Sequence, residues 1–280
     1  YIMKVIEAIK MILKDKLRIS LFKILGSENV DKLRYLKFSY KFNKFLKYNN
    51  KEIFIKKFSE FYEPEMEIIH KILLNPQVII DVGANYGPYS FFLSRIYPNA
   101  EIFAFEPTTR SMNIFRKIIK KFNLTNVISI KKGLGLKEET KEIVMPAQYT
   151  ILAYVSEKNR PRKKEDQIEK IEITTLDNFV KRNKIKKIDF IKCDVEGFEL
   201  NIFNGAKKTL KKFKPVILVE IEERHTKKYG INPQEVVQFF KKLRYFCYSV
   251  KNNEIQRIDH VKEGIPLYIF SSKKIKNSNS

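Results

Sequence analysis

An α/β fold built on a mostly parallel sheet is what this 280-residue sequence predicts, and three observations predict it. Apolar runs of strand length recur and end in acids: Val78-Ile79-Ile80-Asp81, Phe103-Ala104-Phe105-Glu106, Ile188 to Asp194, and Val216 to Glu220. The first run opens onto Val82-Gly83-Ala84-Asn85-Tyr86-Gly87 and then onto an apolar stretch of helical length. The distance from the first run to the second suits one helix crossing between two parallel strands.

The length allows one large core, or one domain with a sizeable appendage. Lys and Arg number 55 against 32 Asp and Glu, a formal charge of +23. Such a charge could steer the protein to nucleic acid, anionic lipid or an acidic glycan. The lysines are nevertheless spread through nearly every helix, and the heavy use of Phe, Tyr, Ile, Lys and Asn with no Trp is also what an AT-rich genome produces. Cys193 and Cys247 form no close-spaced metal or redox motif, and read as buried reduced thiols of a cytoplasmic protein. No stretch approaches the ~18 uncharged apolar residues of a membrane span, and none has the pattern of a secretory signal.

Residues 1–62 read as a basic helical extension. Ile2, Val5, Ile6, Ile9, Ile12 and Leu13 recur at helical spacing, as do Leu33, Leu36, Phe42, Phe45 and Leu46. Such stripes require a cover: the following domain, a second copy in a homodimer, or the anionic inner face of a membrane. The main domain is expected over 63–272. A short helix through His70 ends at Asn75-Pro76, and Pro88 suits the first turn of the helix after the glycine turn. Asn126 to Lys131 supplies a third strand that reaches Gly133-Leu134-Gly135. The interval 137–170 is poorly patterned and reads as an insertion or a cover over a pocket. The fourth strand, Ile188 to Asp194, precedes a helix over about 200–210, and the fifth ends at Glu220. A helix carrying Val236, Val237, Phe239 and Phe240 leads to two final strands, at Tyr245–Val250 and Pro266–Phe270, with a hairpin connection between them. The tail 273–280 is polar.

Glycine permits the tight turn and lets a ligand approach the main chain closely, so the turn at Gly83 is a place to lay a nucleoside. Glu106, about 20 residues on, would accept hydrogen bonds from both ribose hydroxyls. The turn lacks the three-glycine dinucleotide pattern, and S-adenosylmethionine, which has no phosphate, fits it better than NAD. At the fourth strand end Asp194, Glu196 and Glu199 crowd three carboxylates into six residues, which is costly unless their charge is used. A helix amino end also favours acids and would account for Glu196 or Glu199 more readily than for Asp194. Beyond Glu220, His225 is a candidate general base. His70 and His260 have no evident route to the pocket. No zinc motif is assembled, and a carboxylate-bound divalent ion such as Mg²⁺ is compatible with the acids.

In order along the chain stand Tyr62-Glu63-Pro64-Glu65, Asp81-Val82-Gly83-Ala84-Asn85-x-Gly87, Phe105-Glu106-Pro107, Gly133-Leu134-Gly135, Thr174-Thr175-Leu176-Asp177, Asp194-Val195-Glu196-Gly197-x-Glu199 and Val219-Glu220. In this combination the chain resembles the FkbM family of S-adenosylmethionine-dependent methyltransferases over about 63–270. The resemblance implies a Rossmann-like class I methyltransferase fold, a seven-stranded mostly parallel sheet whose last strand is antiparallel. It also implies O-methylation of a sugar, glycan or other small-molecule hydroxyl. Glu63, Asp81, Gly83, Ala84, Asn85, Gly87, Glu106 and Gly133 would then hold the cofactor. Asp194 or His225 would take the acceptor proton, while Glu196, Glu199 and Glu220 would orient substrate or hold a metal. Pro88 is less usual for the family. Two other readings are an RNA methyltransferase, for which no compact nucleic-acid motif is present, and a membrane-associated scaffold that keeps the fold without catalysis.

Overall fold

The structure, a computed structural model, describes residues 15–61, 65–145, 154–155, 167–251 and 254–275. Its helices are α1 (Asp15–Leu46), α2 (Lys51–Phe61), α3 (Glu65–Ile72), α4 (Pro88–Ile96), α5 (Thr109–Phe122), α6 (Leu176–Arg182), α7 (Glu199–Asn204), α8 (Lys207–Phe213), α9 (Glu223–Thr226) and α10 (Pro233–Lys242). Its strands are β1 (Val78–Val82), β2 (Glu101–Phe105), β3 (Val127–Ile130), β4 (Gly133–Leu134), β5 (Glu139–Met145), β6 (Tyr154–Val155), β7 (Gln167–Thr174), β8 (Phe190–Cys193), β9 (Val216–Glu220), β10 (Phe246–Lys251), β11 (Glu254–Ile258) and β12 (Leu267–Ser271).

The main sheet runs β11-β10-β12-β9-β8-β1-β2-β3. β1, β2, β3, β8 and β9 are mutually parallel, while β12 lies antiparallel to both β9 and β10. Without β11 this is the seven-stranded Rossmann-like class I order, with the antiparallel last strand inserted beside β9. The chain steps from β1 outward to β2 and β3, then returns to lay β8 on the other side of β1. That reversal opens a crevice beyond the carboxyl ends of β1 and β8, where such sheets bind ligands.

Strand side chains alternate between two cores. Ile79, Ile102, Ala104, Phe190, Leu218 and Ile269 face the core that receives α4 and α5. Ile80, Val82, Phe103, Phe105, Ile191, Cys193, Ile217 and Val219 face the core that receives α6, α7, α8 and α10. Both faces being covered explains why these strands read as continuous apolar runs. Helix α4 starts at Pro88, directly after Gly87 in a left-handed conformation at φ 85°, as the first-turn proline predicts.

The amino-terminal helices join the first core. Phe42 of α1 stacks on Phe91 of α4 with ring centroids 4.3 Å apart, and Phe54 and Phe58 of α2 stack on Phe92 at 5.9 and 5.3 Å. The main domain thus covers Phe42 and Phe45 of the stripe, while Leu33, Leu36 and Leu46 stay exposed. Arg110 of α5 reaches Asp31 of α1 at 2.6 Å, a second tie between the extension and the sheet's helical layer. The stripe at residues 2–13 lies outside the described residues. No helix among those described is long and apolar enough to cross a membrane.

Two segments differ from the sequence expectation. The connection before the last strand carries β11, paired antiparallel with β10. Glu254, Gln256 and Arg257 of β11 face solvent, as suits a charged edge strand, and that polarity hides it from a search for apolar alternation. The interval 137–170 is in part a second sheet of order β4-β7-β5-β6, with β5 and β7 antiparallel over seven residue pairs from Glu139–Ile173 to Met145–Gln167. Both faces carry charge: Glu142, Lys170 and Glu172 lie on the outer one, while Glu139, Lys141 and Glu169 share the inner one with Ile143, Ile171, Ile173 and Val155.

Truncating Phe42 to Ala should remove the stacked ring from this shared core and lower unfolding free energy by about 3–5 kcal/mol. Urea denaturation followed by far-UV circular dichroism measures it. A loss under about 1 kcal/mol would mean that α1 is not part of the cooperative unit.

Candidate active site

Pairing of β1 with β8 sets Asp81 opposite Lys192. Both side chains are buried, at 0% and 5% exposure. Ser90 Oγ of α4 donates to Asp81 Oδ2 at 2.7 Å, while Asp81 Oδ1 has no hydrogen-bond donor and stands 3.8 Å from Lys192 Nζ. Burial pushes the Asp81 carboxyl up in pKa, and Lys192 opposes that shift. Lys192 Nζ donates to the Gly83 carbonyl at 3.2 Å, lies 3.5 Å from Asp194 Oδ2, and sits 5.0 Å from the centre of the Tyr89 ring. The Tyr89 hydroxyl donates to Glu65, which is buried on α3. Glu63 lies outside the described residues.

The turn after β1 needs its glycine for a specific reason. Gly83 has φ 74°, and a Cβ there would stand 2.0 Å from the Asp194 carbonyl oxygen, so the turns after β1 and β8 touch backbone to backbone. Gly83 N and Ala84 N both donate to Phe105 O, at 3.0 and 2.9 Å. Asn85 N donates to Glu106 Oε2 at 3.0 Å, and Gly87 N to Ala84 O at 2.8 Å. These four amides are committed within the protein, so they offer no anion nest of the kind that cradles a pyrophosphate. Glu106 Oε1 accepts from Thr108 N at 2.9 Å and Thr108 Oγ1 at 2.5 Å. Burial raises the Glu106 pKa and these donors oppose the rise.

A cavity of about 270 Å³ lies over these groups. Gly83, Ala84, Asn85, Tyr89, Glu106, Lys192, Asp194 and Glu196 line it, with Gly133, Leu134, Phe105 and Phe198. Ile143, Ile171 and Ile173 of the second sheet also line it, so β5 and β7 wall the pocket. Gly87 and Asp81 stand behind the lining. The cavity, the carboxylate at the end of β2 and the absence of a phosphate cradle fit an adenosyl amino acid. Glu106 keeps acceptor capacity for a ribose diol, because a carboxylate offers about four lone-pair sites.

The acidic turn after β8 separates its carboxylates by environment. Asp194 is 39% exposed at its side chain and paired to Lys192. Glu196 lines the cavity from a left-handed residue at φ 58°. Burial, and then the Asp194 charge, push its pKa up to about 7. Glu199 is almost wholly buried and does not line the cavity. Its Oε1 accepts from Val195 N and Gly197 N at 3.2 and 3.0 Å, so it holds the turn from beneath, and burial pushes its pKa up to about 7. Glu220 and His225 stand behind the rim. His225 Nε2 is 3.1 Å from Glu196 Oε2, without the alignment of a hydrogen bond, and its Nδ1 is 4.0 Å from Glu220 Oε2. Burial lowers the His225 pKa, favouring neutral imidazole, while burial and then Asp194 hold the Glu220 carboxyl well above the usual carboxylate range. Gly197, at φ 103°, lies so close to His225 that a Cβ would meet its backbone carbonyl at 2.4 Å. No cluster of three or more His, Cys, Asp or Glu among the described residues is arranged to hold a metal ion.

Sequence reasoning passed over Lys192, Tyr89 and Glu65. The available signal was a lysine inside an apolar strand that should be covered on both faces.

A sequence model of the methyltransferase FkbM domain matches residues 81–247, more than half of the chain, from the acid of β1 to β10. The chain belongs to the FkbM methyltransferase family. It is similar to Methyltransferase 1 of Beauveria bassiana, at 25% identity over 169 residues, covering 50% of this chain and 67% of that protein. It is also similar to methyltransferase sdnD of Sordaria araneosa, at 27% identity over 205 residues, covering 63% and 76% of the two chains. A solved FkbM methyltransferase from Methylobacillus flagellatus KT matches 79% of this chain at 14% identity and a TM-score of 0.49. The present chain spans only half, 50%, of that protein. The FkbM domain model thus takes in the glycine turn, Glu106, Lys192 and the acidic turn, and leaves the helical extension outside.

Glu199 ties the acidic turn to a pH-dependent stability. Its folded pKa is raised from 4.5 to about 7, so its contribution is full when the carboxyl is neutral, below about 4.5, and is lost as pH rises through about 7. Across that window the wild type should lose up to about 3 kcal/mol more unfolding free energy than Glu199→Gln. Urea titrations at a series of pH values test this, and parallel pH profiles for the two proteins would refute it.

Proposed function

We propose that this FkbM protein transfers the methyl group of S-adenosylmethionine to a hydroxyl of a sugar, glycan or other small molecule. The observation that carries the reading is the placement of Glu196 in the cavity wall, with neutral His225 3.1 Å behind it. The cofactor supplies an electrophilic methyl on a sulfonium with a neutral thioether as leaving group. What remains for the protein is to orient the acceptor oxygen in line and receive its proton.

Glu106 would bind the ribose diol, and Gly83 to Asn85 would border the methionine part. Gly133, Leu134 and Pro107, with Ile171 and Ile173 against them, would enclose the adenine. Asp194 lies 3.5 Å from Lys192 at the cofactor end of the cavity, whereas Glu196, with its pKa near 7, suits general-base work close to neutrality. The acceptor proton would pass to Glu196, and His225 would take it on or hold the carboxylate in place. Asp194, together with Glu196 when it is ionised, gives the rim a negative character that supports a neutral polyol as acceptor over a phosphodiester chain.

The reading is tested by incubating the protein with methyl-tritiated S-adenosylmethionine and a panel of glycosides, sugar nucleotides and RNA. Label should enter a glycoside or sugar nucleotide as an ether stable to mild alkali and mild acid. Transfer to RNA alone, or to a nitrogen, would overturn it. On the accepted substrate, Glu196→Gln should lower kcat by about 10²- to 10⁴-fold with little change in S-adenosylhomocysteine affinity by isothermal titration. The wild-type rate should climb as pH rises through about 7, because the base must be ionised, and the variant should lose that limb. Glu106→Ala should show the opposite split, weakening cofactor binding by about 10- to 100-fold through loss of the ribose hydrogen bonds.

A further inference from the structure

We propose that the outer face of α1 docks on an anionic lipid bilayer, with Leu33, Leu36 and Tyr40 seated among the headgroups and lysines around them on the lipid phosphates. The inference stands apart from the methyl-transfer reading, since none of these residues lines the cavity. Helix α1 is held on the main domain through Ser39, Phe42 and Phe45, which are buried. At about 100° per residue, Leu33, Leu36 and Tyr40 fall within an arc of about 60° on the opposite side of the helix. They are 37, 40 and 43% exposed. Single exposed apolar side chains are ordinary on a protein surface, whereas three large ones on adjoining turns of one face mark a contact.

Charge decides what that contact is. Between Asn29 and Lys47 the sequence holds six bases and one acid. The acid, Asp31, is tied to Arg110 of α5 at 2.6 Å. Lys32 and Lys44 are exposed, and the helical period sets them on either side of the apolar arc, with Lys47 exposed just past the helix end. Lys44 Nζ lies 4.9 Å from the centre of the Tyr40 ring. Beside α1, Lys117 and Lys121 of α5 reach over the Tyr35 ring at 5.8 and 5.9 Å and widen the basic border. A second copy of the chain would bring these lysines against the same lysines, with the nearby acid already facing Arg110. A nucleic acid would take up the lysines but leave the leucines in water. An anionic bilayer satisfies both, because lysine stems lie along the apolar side chains while their ammonium groups reach the phosphates.

Cosedimentation of the full chain with vesicles tests the assignment. Vesicles of phosphatidylglycerol mixed equally with phosphatidylcholine should bind it about 10-fold or more tightly than phosphatidylcholine alone. The combined variant Leu33→Gln, Leu36→Gln, Tyr40→Gln keeps every charge and should bind the mixed vesicles about 10- to 100-fold more weakly. Lys32→Gln, Lys44→Gln, Lys47→Gln should weaken binding by a similar factor. A second readout does not rely on a loss: an environment-sensitive fluorophore on Leu36→Cys should shift its emission to the blue when mixed vesicles are added. Cys193 and Cys247 are buried, so the label is directed to the surface thiol. A wild type that binds neither vesicle would overturn the proposal, as would undiminished binding by the folded Leu33, Leu36, Tyr40 variant or a label whose emission does not move. A dimer in sedimentation equilibrium that this variant dissociates, without vesicle binding, would assign the face to a second copy instead. Lysine-dependent retention on an RNA homopolymer, again without vesicle binding, would assign it to nucleic acid.

Discussion

Strand β1 has a neighbour on each edge and a helical layer on each face, and that enclosure leaves its carboxyl end as the place where polar groups can meet a ligand. Asp81 and Lys192 bear the consequence. They face each other across β1 and β8 inside the sheet, where neither charge would be tolerated alone. Their pairing, extended by Asp194 on the solvent side, carries charge from the dry core out to the crevice. The Gly83 turn is tied down at the same point, because two successive amides share the Phe105 carbonyl and so anchor the first turn to the second strand. The position of Glu106 depends in turn on the Asn85 amide that this arrangement delivers.

Much of the fold was legible because strands covered on both faces leave continuous apolar runs, and because each acid-ended run marks a carboxyl terminus. β1, β2, β8 and β9 were readable for that reason, as was the start of α4 at Pro88. β5 and β7 were not, since both faces of each carry charge and Ile143, Ile171 and Ile173 are too few to make a pattern. β11 was hidden likewise by the polar side chains of an edge. At the site, residue types were legible but their environments were not. Glu196 and Glu199 are three positions apart in sequence, yet one lines the cavity while the other is swallowed by its own turn. Lys192 was overlooked because a lysine in a strongly basic chain carries little information until its burial is known.

The amino-terminal helices have a mechanical role whatever else they contact. Their phenylalanines enter the core that also holds α4, the helix immediately after the glycine turn. Disturbing α1 or α2 would therefore reach Ser90 and Asp81 through α4 without touching the cavity. This links a segment outside the family match to the geometry of the cofactor crevice.

The contact between Gly197 and the His225 backbone has a different consequence. Two segments nearly thirty residues apart in sequence abut without a side chain between them, so the acidic turn and the imidazole must shift as one rigid unit. The opposite wall of the cavity, formed by Ile143, Ile171 and Ile173 of the second sheet, lies outside this locked pair of segments. The relative placement of Glu196 and His225 is thus set by a backbone contact and not by their side chains alone.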